Sequence, residues 1–132
     1  MTPRHPTIGG QELELLRWIE ARTEATVGEA AEGFGGPRGL ARSTVLTMMD
    51  RLRRKGHLGR RRVDGVYRFA PAVGAGEAVR RAVADFVDRT LAGSVTPMVD
   101  YLVEREELSD EELAELEALV ERLAARRREE AP

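Results

Sequence analysis

The residues of this chain with the clearest chemistry are the cations between Gly36 and Phe69. This segment carries ten lysine and arginine residues against Asp50 and Asp64, a net charge of +8, although the whole chain carries only −2. Guanidinium groups form paired hydrogen bonds with phosphate oxygens and with guanine edges. One sign of charge concentrated in one segment is typical of a nucleic-acid-binding surface. The sequence therefore predicts phosphate and base recognition in this segment.

A helix is the element that must position the first part of the segment. Its apolar residues recur at helical spacing and can face a core: Val45, Met48, Met49 and Leu52. Ser43 or Thr44 is suited to cap the start of this helix, and Gly56 to supply the left-handed residue that ends it. We expect the helix to span about 42–56.

A β-hairpin is predicted directly after that helix. Two β-prone runs, Leu58–Val63 and Val66–Phe69, flank the pair Asp64-Gly65. An Asp-Gly pair in such a position is a strong signal for a two-residue hairpin turn. A helix followed at once by an arginine-rich hairpin is the plan of a winged helix-turn-helix domain that binds DNA.

Two helices are predicted before this region. The first spans about Gly10–Arg22, with an apolar side and a charged side, and a shorter one starts at Thr26. The stretch Gly33–Gly39 is expected to be a flexible turn, because its glycines and Pro37 do not favour a continued helix. The order of three helices and a hairpin predicts a mainly α fold with a small β-hairpin, in which 1–71 form a winged helix-turn-helix DNA-binding domain.

The remainder, 72–132, is predicted to be a helical dimerisation region. Its helices are expected at about Glu77–Leu91, from near Pro97 to near Arg105, and after Ser109. It is acidic from Asp100 onward, with a net charge of −7. The last helix carries apolar residues spaced 3, 4 and 3 apart, a coiled-coil-like stripe. The stripe either packs on its own domain or pairs with a second copy, and we favour the second copy. The residues predicted to dimerise are Leu91, Met98, Val99, Leu102, Leu113, Leu116, Val120 and Leu123.

Composition excludes several classes of site. The chain has no cysteine, which removes disulfides, thiolate metal sites and thiol catalysis. Its two histidines, His5 and His57, stand far apart, and no Gly-rich phosphate loop or nucleophile with a base is present. We therefore expect neither an enzyme nor a cofactor or metal. No apolar run reaches the length of a membrane span, so we expect no membrane insertion and a cytoplasmic protein.

The residues predicted to contact DNA lie on the 42–56 helix and on the wing, as the hairpin is called in this fold. Thr44 and Thr47 lie near the helix end that enters the major groove, where their hydroxyls and methyls suit phosphates and thymines. Strand alternation means that some of the three wing arginines must face away from DNA. Tyr67 is expected to pack on the helices rather than on a base. The full predicted set is Arg42, Ser43, Thr44, Leu46, Thr47, Arg51, Arg54, Lys55, Arg60, Arg61 and Arg62.

With these motifs the chain resembles the penicillinase-repressor family, the BlaI/MecI/CopY type of bacterial transcriptional repressor. The resemblance rests on TVLTMMDRLRRKGHLGRRR at Thr44–Arg62, on VYRFAP at Val66–Pro71 and on LVEREELSDEELAEL at Leu102–Leu116. It implies a homodimer whose winged helices read inverted repeats in promoter DNA and whose C-terminal helices interlock. Binding by such a dimer blocks transcription of neighbouring genes.

Two departures limit what the resemblance implies. The copper-sensing branch uses a cysteine pair, which is absent here, so that route of control is excluded. In the β-lactam branch a membrane sensor protease triggers cleavage at an Asn-Phe pair. This chain has Tyr101-Leu102 at the nearest matching position, so a sensor protease as partner is not implied by the motif itself.

Two other functions compete with the repressor. A winged helix can serve as a protein-interaction module, but such a module is expected to expose an apolar patch where this chain is strongly basic. A winged-helix regulator of another family that senses a small molecule is closer to the repressor than the interaction module is. The sequence of the C-terminal helices does not indicate which ligand such a regulator would bind.

Overall fold

Among the described residues, the architecture is that of a winged helix followed by three further helices. The computed structural model describes residues 8–105 and 107–131. Its elements are, in chain order, α1 (Gly10–Arg22), α2 (Val27–Ala30), α3 (Arg42–Arg54), β1 (Leu58–Val63), β2 (Val66–Pro71), α4 (Ala75–Arg89), α5 (Thr96–Glu104) and α6 (Asp110–Glu130). The predicted fold class, mainly helical with one hairpin, is confirmed.

Contacts divide the chain into two units, the first ending at Ala92 and the second beginning at Gly93. Helix α4 belongs to the first unit, where Ala75 and Ala78 are buried in the core. The backbone N–H of Ala75 also donates to Glu20 Oε2 at 2.7 Å. The boundary between the two structural units therefore lies after α4. The boundary predicted between the DNA-binding domain and the dimerisation region lies earlier, between residues 71 and 72.

The core of the first unit is built from the inward faces of the predicted helices. Burial of about 25 cal/mol per Å² of apolar surface is the main term that holds such elements together. The largest fully buried side chains come from α1, from α3 and from the segment after α2: Leu15, Leu16, Ile19, Phe34, Val45, Met49 and Leu52. Met48 and Met49 are core residues, as their spacing predicted.

The segment between α2 and α3 differs from the flexible turn that was expected. The chain continues from α2 through a π-helical turn, Ala31–Gly35, and a 3₁₀ turn, Gly36–Arg38. Pro37 is tolerated because it lies at the start of the 3₁₀ turn, where its missing N–H has no helical partner to lose. The helical path ends at Gly39, whose φ of +67° is in the left-handed region that favours glycine. The expectation that the glycines and proline stop the helix was therefore wrong by more than one turn.

Gly33 is required for a reason that the sequence does not display. A Cβ at this position would overlap Cζ2 of Trp18 and lie 3.2 Å from its Cη2. The Trp18 ring meets the Phe34 ring edge-on, at 6.4 Å between centroids. The absence of a side chain at Gly33 thus leaves room for the indole of Trp18 next to the π turn, in contact with the buried Phe34.

The predicted hairpin is confirmed, together with its turn. Asp64 and Gly65 have φ values of 50° and 79°, as a type I′ turn requires at both central positions. Strand β2 continues to Pro71, two residues beyond the predicted end. Ala25 pairs with Phe69 through two 2.9 Å backbone hydrogen bonds, which join the hairpin to the connection between α1 and α2.

Two helix starts, at Thr26 and Ser109, agree with the prediction, whereas the capping residue predicted for α3 does not. Thr26 and Glu29 form a reciprocal capping box, with hydrogen bonds of 3.0 and 3.1 Å. Ser109 accepts from the N–H of Glu112 at 3.1 Å and caps α6 as expected. The expected cap of α3 at Ser43 or Thr44 was wrong, because the extended backbone ends at Ala41 and α3 begins at the next residue. Both hydroxyl side chains therefore lie on the first turn of α3 and are exposed.

We expect Glu29→Gln to lower the free energy of unfolding at neutral pH and to change it little in acid. The pKa of Glu29 lies below its ordinary value of 4.5, chiefly because the backbone N–H of Thr26 donates to the carboxylate. A carboxyl with a depressed folded pKa contributes stability above 4.5 that is lost as the pH falls through the folded value. Urea unfolding at both pH values measures this difference.

The matched control for this variant is Glu32→Gln, which changes an exposed glutamate three residues further along. It should leave the unfolding free energy at neutral pH close to that of the unmodified chain. An equal loss in both variants, or a Glu29→Gln deficit that persists unchanged in acid, would contradict the assigned role of the capping box.

Candidate nucleic-acid interface

Helix α3 presents a polar face opposite the four residues that it buries. The residues of this outer face are spaced 4, 3 and 4 apart and are exposed or half-buried: Ser43, Thr47, Asp50 and Arg54. The hydroxyl of Thr47 donates to the carbonyl oxygen of Ser43 at 2.9 Å. Because its proton is used in this bond, Thr47 can offer a ligand only a lone pair and a methyl group. Thr44 and Leu46 lie on the two flanks of the outer face.

One flank of α3 forms a groove with the start of α2 and the hairpin, here called the wing groove. Its volume is about 380 Å³, and its lining includes Arg42 and Leu46 from α3 and Arg60 and Tyr67 from the hairpin. Leu46 is 48% exposed, unusually open for a leucine in a helix centre. If Gly28, at the start of α2, carried a Cβ atom, that atom would lie only 3.7 Å from Nη1 of Arg42. The groove thus combines two cations with an apolar side chain that can touch a base.

Tyr67 holds the two arginines on one face of the wing. The Cζ atom of Arg60 lies 4.1 Å from the centre of the Tyr67 ring, and that of Arg62 lies 5.6 Å from it. A guanidinium stacked on an aromatic face keeps its N–H groups free at the edge for an acceptor. Tyr67 was expected to pack on the helices, but 41% of it is exposed and its ring serves as a platform for arginine.

Arg61 lies on the opposite face of the wing, as strand alternation predicted for one of the three arginines. Its Nη2 atom is 3.0 Å from Oε2 of Glu24. Arg68, its partner across the hairpin, lies 3.7 Å from Glu24 and 3.6 Å from Glu29. These carboxylates neutralise the second face of the wing, and the ion pair with Glu24 keeps the exposed side chain of Arg61 from binding phosphate.

We expect Glu24→Gln to strengthen binding of this protein to DNA. The change removes the charge that holds Arg61 and leaves that arginine available to phosphate. In a dimer two arginines are released, so the slope of log affinity against log salt should steepen by up to about 1.8. Anisotropy titrations over a range of salt concentrations measure it. Glu20→Gln, which alters a carboxylate bonded to the N–H of Ala75, is the control and should not steepen the slope.

The C-terminal part of α3 is also partly neutralised. Asp50 pairs at 2.9 Å with both Arg53 and Arg54, and the pKa of Asp50 is lowered, first by the hydrogen bond from Arg53. Lys55 lies 3.0 Å from Glu12 of α1. Glu12, Asp50 and Glu24 were not predicted to shape the site. The residues Glu12 and Glu24 lie 43 and 37 positions from their partners, and no local pattern indicates such pairs.

Within residues 8–105 and 107–131, some of the predicted DNA-binding cations form no ion pair with a carboxylate. They lie on the exposed side of α3 and on the Tyr67 face of the wing: Arg42, Arg51, Arg60 and Arg62. Arg51 lines a second shallow groove, of about 360 Å³, with Arg54 and Lys55. The structure therefore reduces the eleven predicted contacts to a smaller group of strong candidates for phosphate.

The residues predicted to dimerise are exposed or half-buried. Helices α5 and α6, which are described over their full length, bury none of their side chains. Leu91, Leu102 and Leu116 are half-buried. The remaining predicted residues are exposed: Met98, Val99, Leu113, Val120 and Leu123. Val83 and Phe86 of α4 are also exposed and were not among the predicted residues, although their spacing in an amphipathic helix was a usable signal.

No group of three or more histidine, aspartate or glutamate side chains in the described part of the chain is arranged to hold a metal ion. None of the helices described here combines the length and the apolar character needed to cross a bilayer.

Curated relatives of the chain include a bacterial repressor and two bacterial regulatory proteins. It is 31% identical over 118 residues to the transcriptional regulator BlaI of Mycobacterium tuberculosis H37Rv, covering 84% of this chain and 86% of that protein. It is 26% identical over 124 residues to the penicillinase repressor of Bacillus licheniformis, covering 94% and 97%. It is 23% identical over 109 residues to the methicillin resistance regulatory protein MecI of Staphylococcus aureus N315, covering 83% and 89%.

Solved structures similar to this one include regulators of the MarR type. A mutant form of MarR from Escherichia coli is 20% identical with a TM-score of 0.49, over 89% of this chain and 78% of that one. FabT of Streptococcus pneumoniae, solved in complex with DNA, is 19% identical with a TM-score of 0.45, over 92% and 77%.

The family profile described as penicillinase repressor matches residues 8–122, which include the whole winged helix and most of α6. This match spans far more than half of the chain, and it agrees with the element order and with the curated relatives. The chain belongs to the penicillinase repressor family of winged-helix transcriptional regulators.

Proposed function

We propose that this protein is a homodimeric, sequence-specific DNA-binding repressor that recognises an inverted-repeat operator. Membership of a repressor family supports the general function. The observation that carries the specific proposal is the wing groove, where Arg42 and Leu46 of α3 meet Arg60 and Tyr67 of the hairpin. The cations can bind phosphates, and the apolar Leu46 can contact a base. In DNA recognition, phosphate contacts position the protein on the duplex and base contacts determine the sequence specificity.

The residues have distinct roles in this proposal. The outer face of α3 enters the major groove, with Ser43, Thr44 and Leu46 nearest the base edges at its N-terminal end. The apolar side chain of Leu46 suits a thymine methyl group. Arg42 and Arg51 bind phosphates beside the major groove of the DNA. Arg60 and Arg62, on the Tyr67 face of the wing, bind phosphates of the neighbouring DNA backbone.

Dimerisation gives this arrangement its symmetry. A two-fold dimer presents two recognition helices, so its preferred site is an inverted repeat with half-sites about 10 base pairs apart or a multiple of that. The exposed apolar residues of α5 and α6 supply a surface that a second copy can bury. We place the repressor in the cytoplasm, where it needs no cofactor to bind its operator.

The experiment that tests this function is a footprint of the purified protein on the DNA upstream of its own gene, in excess nonspecific competitor DNA. We expect protection of one inverted repeat, and changes in its sequence should weaken binding strongly. Sedimentation of the protein alone and with this DNA should give a dimer. Weak protection along the whole fragment, lost on raising the salt, would show a basic surface without sequence specificity and would refute the proposal.

A further inference from the structure

We propose that the two α6 helices of the dimer pair antiparallel, with Leu113 of one copy against Leu123 of the other. This inference rests on the proposed homodimer and adds to it the orientation and register of one interface. The occupant of the exposed α6 face is thus a second copy of the same helix, in the opposite direction.

The first support is an apolar seam that is largely exposed within the described part of the chain. Leu113, Leu116, Val120 and Leu123 follow the 3, 4, 3 spacing of the a and d positions of a coiled coil. Within this fully described helix no side chain is buried, and Val120 and Leu123 are 63% and 65% exposed. Leu119 is also exposed and lies beside the seam. A second helix on this face removes the whole stripe from water.

The second support is the charge along α6, which gives the pair its direction. The first part of the helix, 110–121, has six acidic residues and no base, a net charge of −6. The second part, 122–130, has four arginines against two glutamates, a net charge of +2. A parallel pair brings the two acidic parts side by side along their whole length, which is unfavourable, whereas an antiparallel pair centred on position 118 brings the first acidic turn, Asp110–Glu112, near Arg126 of the second copy. Opposed helix dipoles favour the same orientation.

The third support is the register. The seam is symmetric about position 118, so in an antiparallel pair Leu113 meets Leu123 and Leu116 meets Val120, with no apolar residue left without a partner. The register places Glu112 beside Arg126 of the second copy, twice per dimer. In this structure Arg126 pairs with Glu130 at 3.3 Å, an exposed contact that is exchanged at little cost.

The flanking charges discriminate further between the two orientations. Glu112 and Glu117 occupy the g and e positions beside the seam, and these positions face each other in a parallel pair. In a parallel pair Glu112 of each copy therefore lies beside Glu117 of the other copy. In the antiparallel pair only Glu117 meets its own copy, near the two-fold axis. The antiparallel arrangement has two attractive charge pairs and one repulsive pair, whereas the parallel arrangement has two repulsive pairs. Charge therefore favours the antiparallel arrangement.

Because the chain has no cysteine, thiol crosslinking tests the orientation directly. Leu113→Cys and Leu123→Cys are made separately, refolded together as a mixture, and treated with a short bis-maleimide. We expect a crosslinked dimer from the mixture and none from either variant alone. Crosslinking of each variant with itself would establish a parallel pair and overturn the proposal.

The same samples separate failure of this inference from failure of the proposed function. If sedimentation shows a dimer that binds the operator but no combination crosslinks, α6 is not the interface and only the inference falls. If the protein is a monomer in sedimentation, with and without DNA, the proposed homodimer falls as well.

A charge exchange gives an independent readout. In the antiparallel pair Glu112→Arg creates two repulsive contacts, and we expect the dimer dissociation constant to rise roughly tenfold. Adding Arg126→Glu restores the attraction and should return the constant close to its original value. In a parallel pair Glu112→Arg would instead relieve repulsion and tighten the dimer, so the sign of the change decides between the orientations.

Discussion

Replacing Arg42 and Arg60 together with alanine should lower the affinity for operator DNA about 1,000-fold. The two guanidinium groups reach the wing groove from different elements, and among the described residues neither lies within 4.0 Å of a carboxylate oxygen. A dimer loses four phosphate contacts, each contributing about 1 kcal/mol. The slope of log affinity against log salt should become shallower by roughly 3.6. Anisotropy titrations at several salt concentrations measure both quantities.

The control for this prediction is Arg61→Ala, one position along the same strand. Arg61 is bound by Glu24 at 3.0 Å, so its loss should leave the salt slope nearly unchanged and reduce affinity much less. Thermal unfolding of all variants shows whether the fold is retained. Equal losses from Arg60→Ala and Arg61→Ala would mean that both faces of the wing contact DNA, contrary to the assignment made from the Tyr67 stack.

Gly33→Ala should destabilise the first unit by about 1–3 kcal/mol, the usual cost of inserting a methyl group into a packed site. The new Cβ would overlap the Trp18 ring, and the ring is held in turn by its edge-on contact with Phe34. Arg22 lies over the same indole, 4.7 Å from its centroid, and restricts its movement further. Urea denaturation followed by circular dichroism gives the change in unfolding free energy.

Gly36→Ala is the matched control, three residues along the same helical path. Its φ and ψ of −52° and −56° are helical, and an added Cβ would meet only the carbonyl oxygen of Ala31 at 3.9 Å. This change should be neutral or stabilise the fold by up to about 1 kcal/mol, because alanine lowers the entropy of the unfolded chain. Similar losses at both glycines would show that backbone freedom, and not contact with Trp18, explains Gly33.

Elements specified by short-range patterns could be predicted from the sequence. The Asp64-Gly65 turn needs only two residues that tolerate positive φ, and the bounds of α1 follow from its apolar spacing. The path from Ala31 to Arg38 could not be predicted, because the burial of Phe34 overrides the local preference of glycine and proline for a turn. The start of α3 agrees with the prediction, but its capping residue was misassigned, because the residue with extended backbone before the helix is Ala41 and not Ser43 or Thr44.

The candidate site was predicted in outline but not in detail. A run of cations is visible in the sequence, and the structure places it on α3 and on the hairpin. Which cations are available depends on carboxylates such as Glu12 and Glu24, which come from distant positions in the chain. The role of Tyr67 depends on cross-strand register, which places it opposite Arg62 and next to Arg60. These relations are properties of the folded chain.

The two hydrogen bonds between Ala25 and Phe69, together with the contact of Glu24 with Arg61, fix the hairpin to the connection between α1 and α2 before any DNA is present. The conformational entropy of ordering the wing is therefore lost during folding rather than on association. Binding of DNA by such a wing makes little contribution to the heat-capacity change, in contrast to a segment that folds on its target. The same rigidity lets a productive encounter proceed at a rate set by electrostatic attraction and orientation, with no folding step in its path.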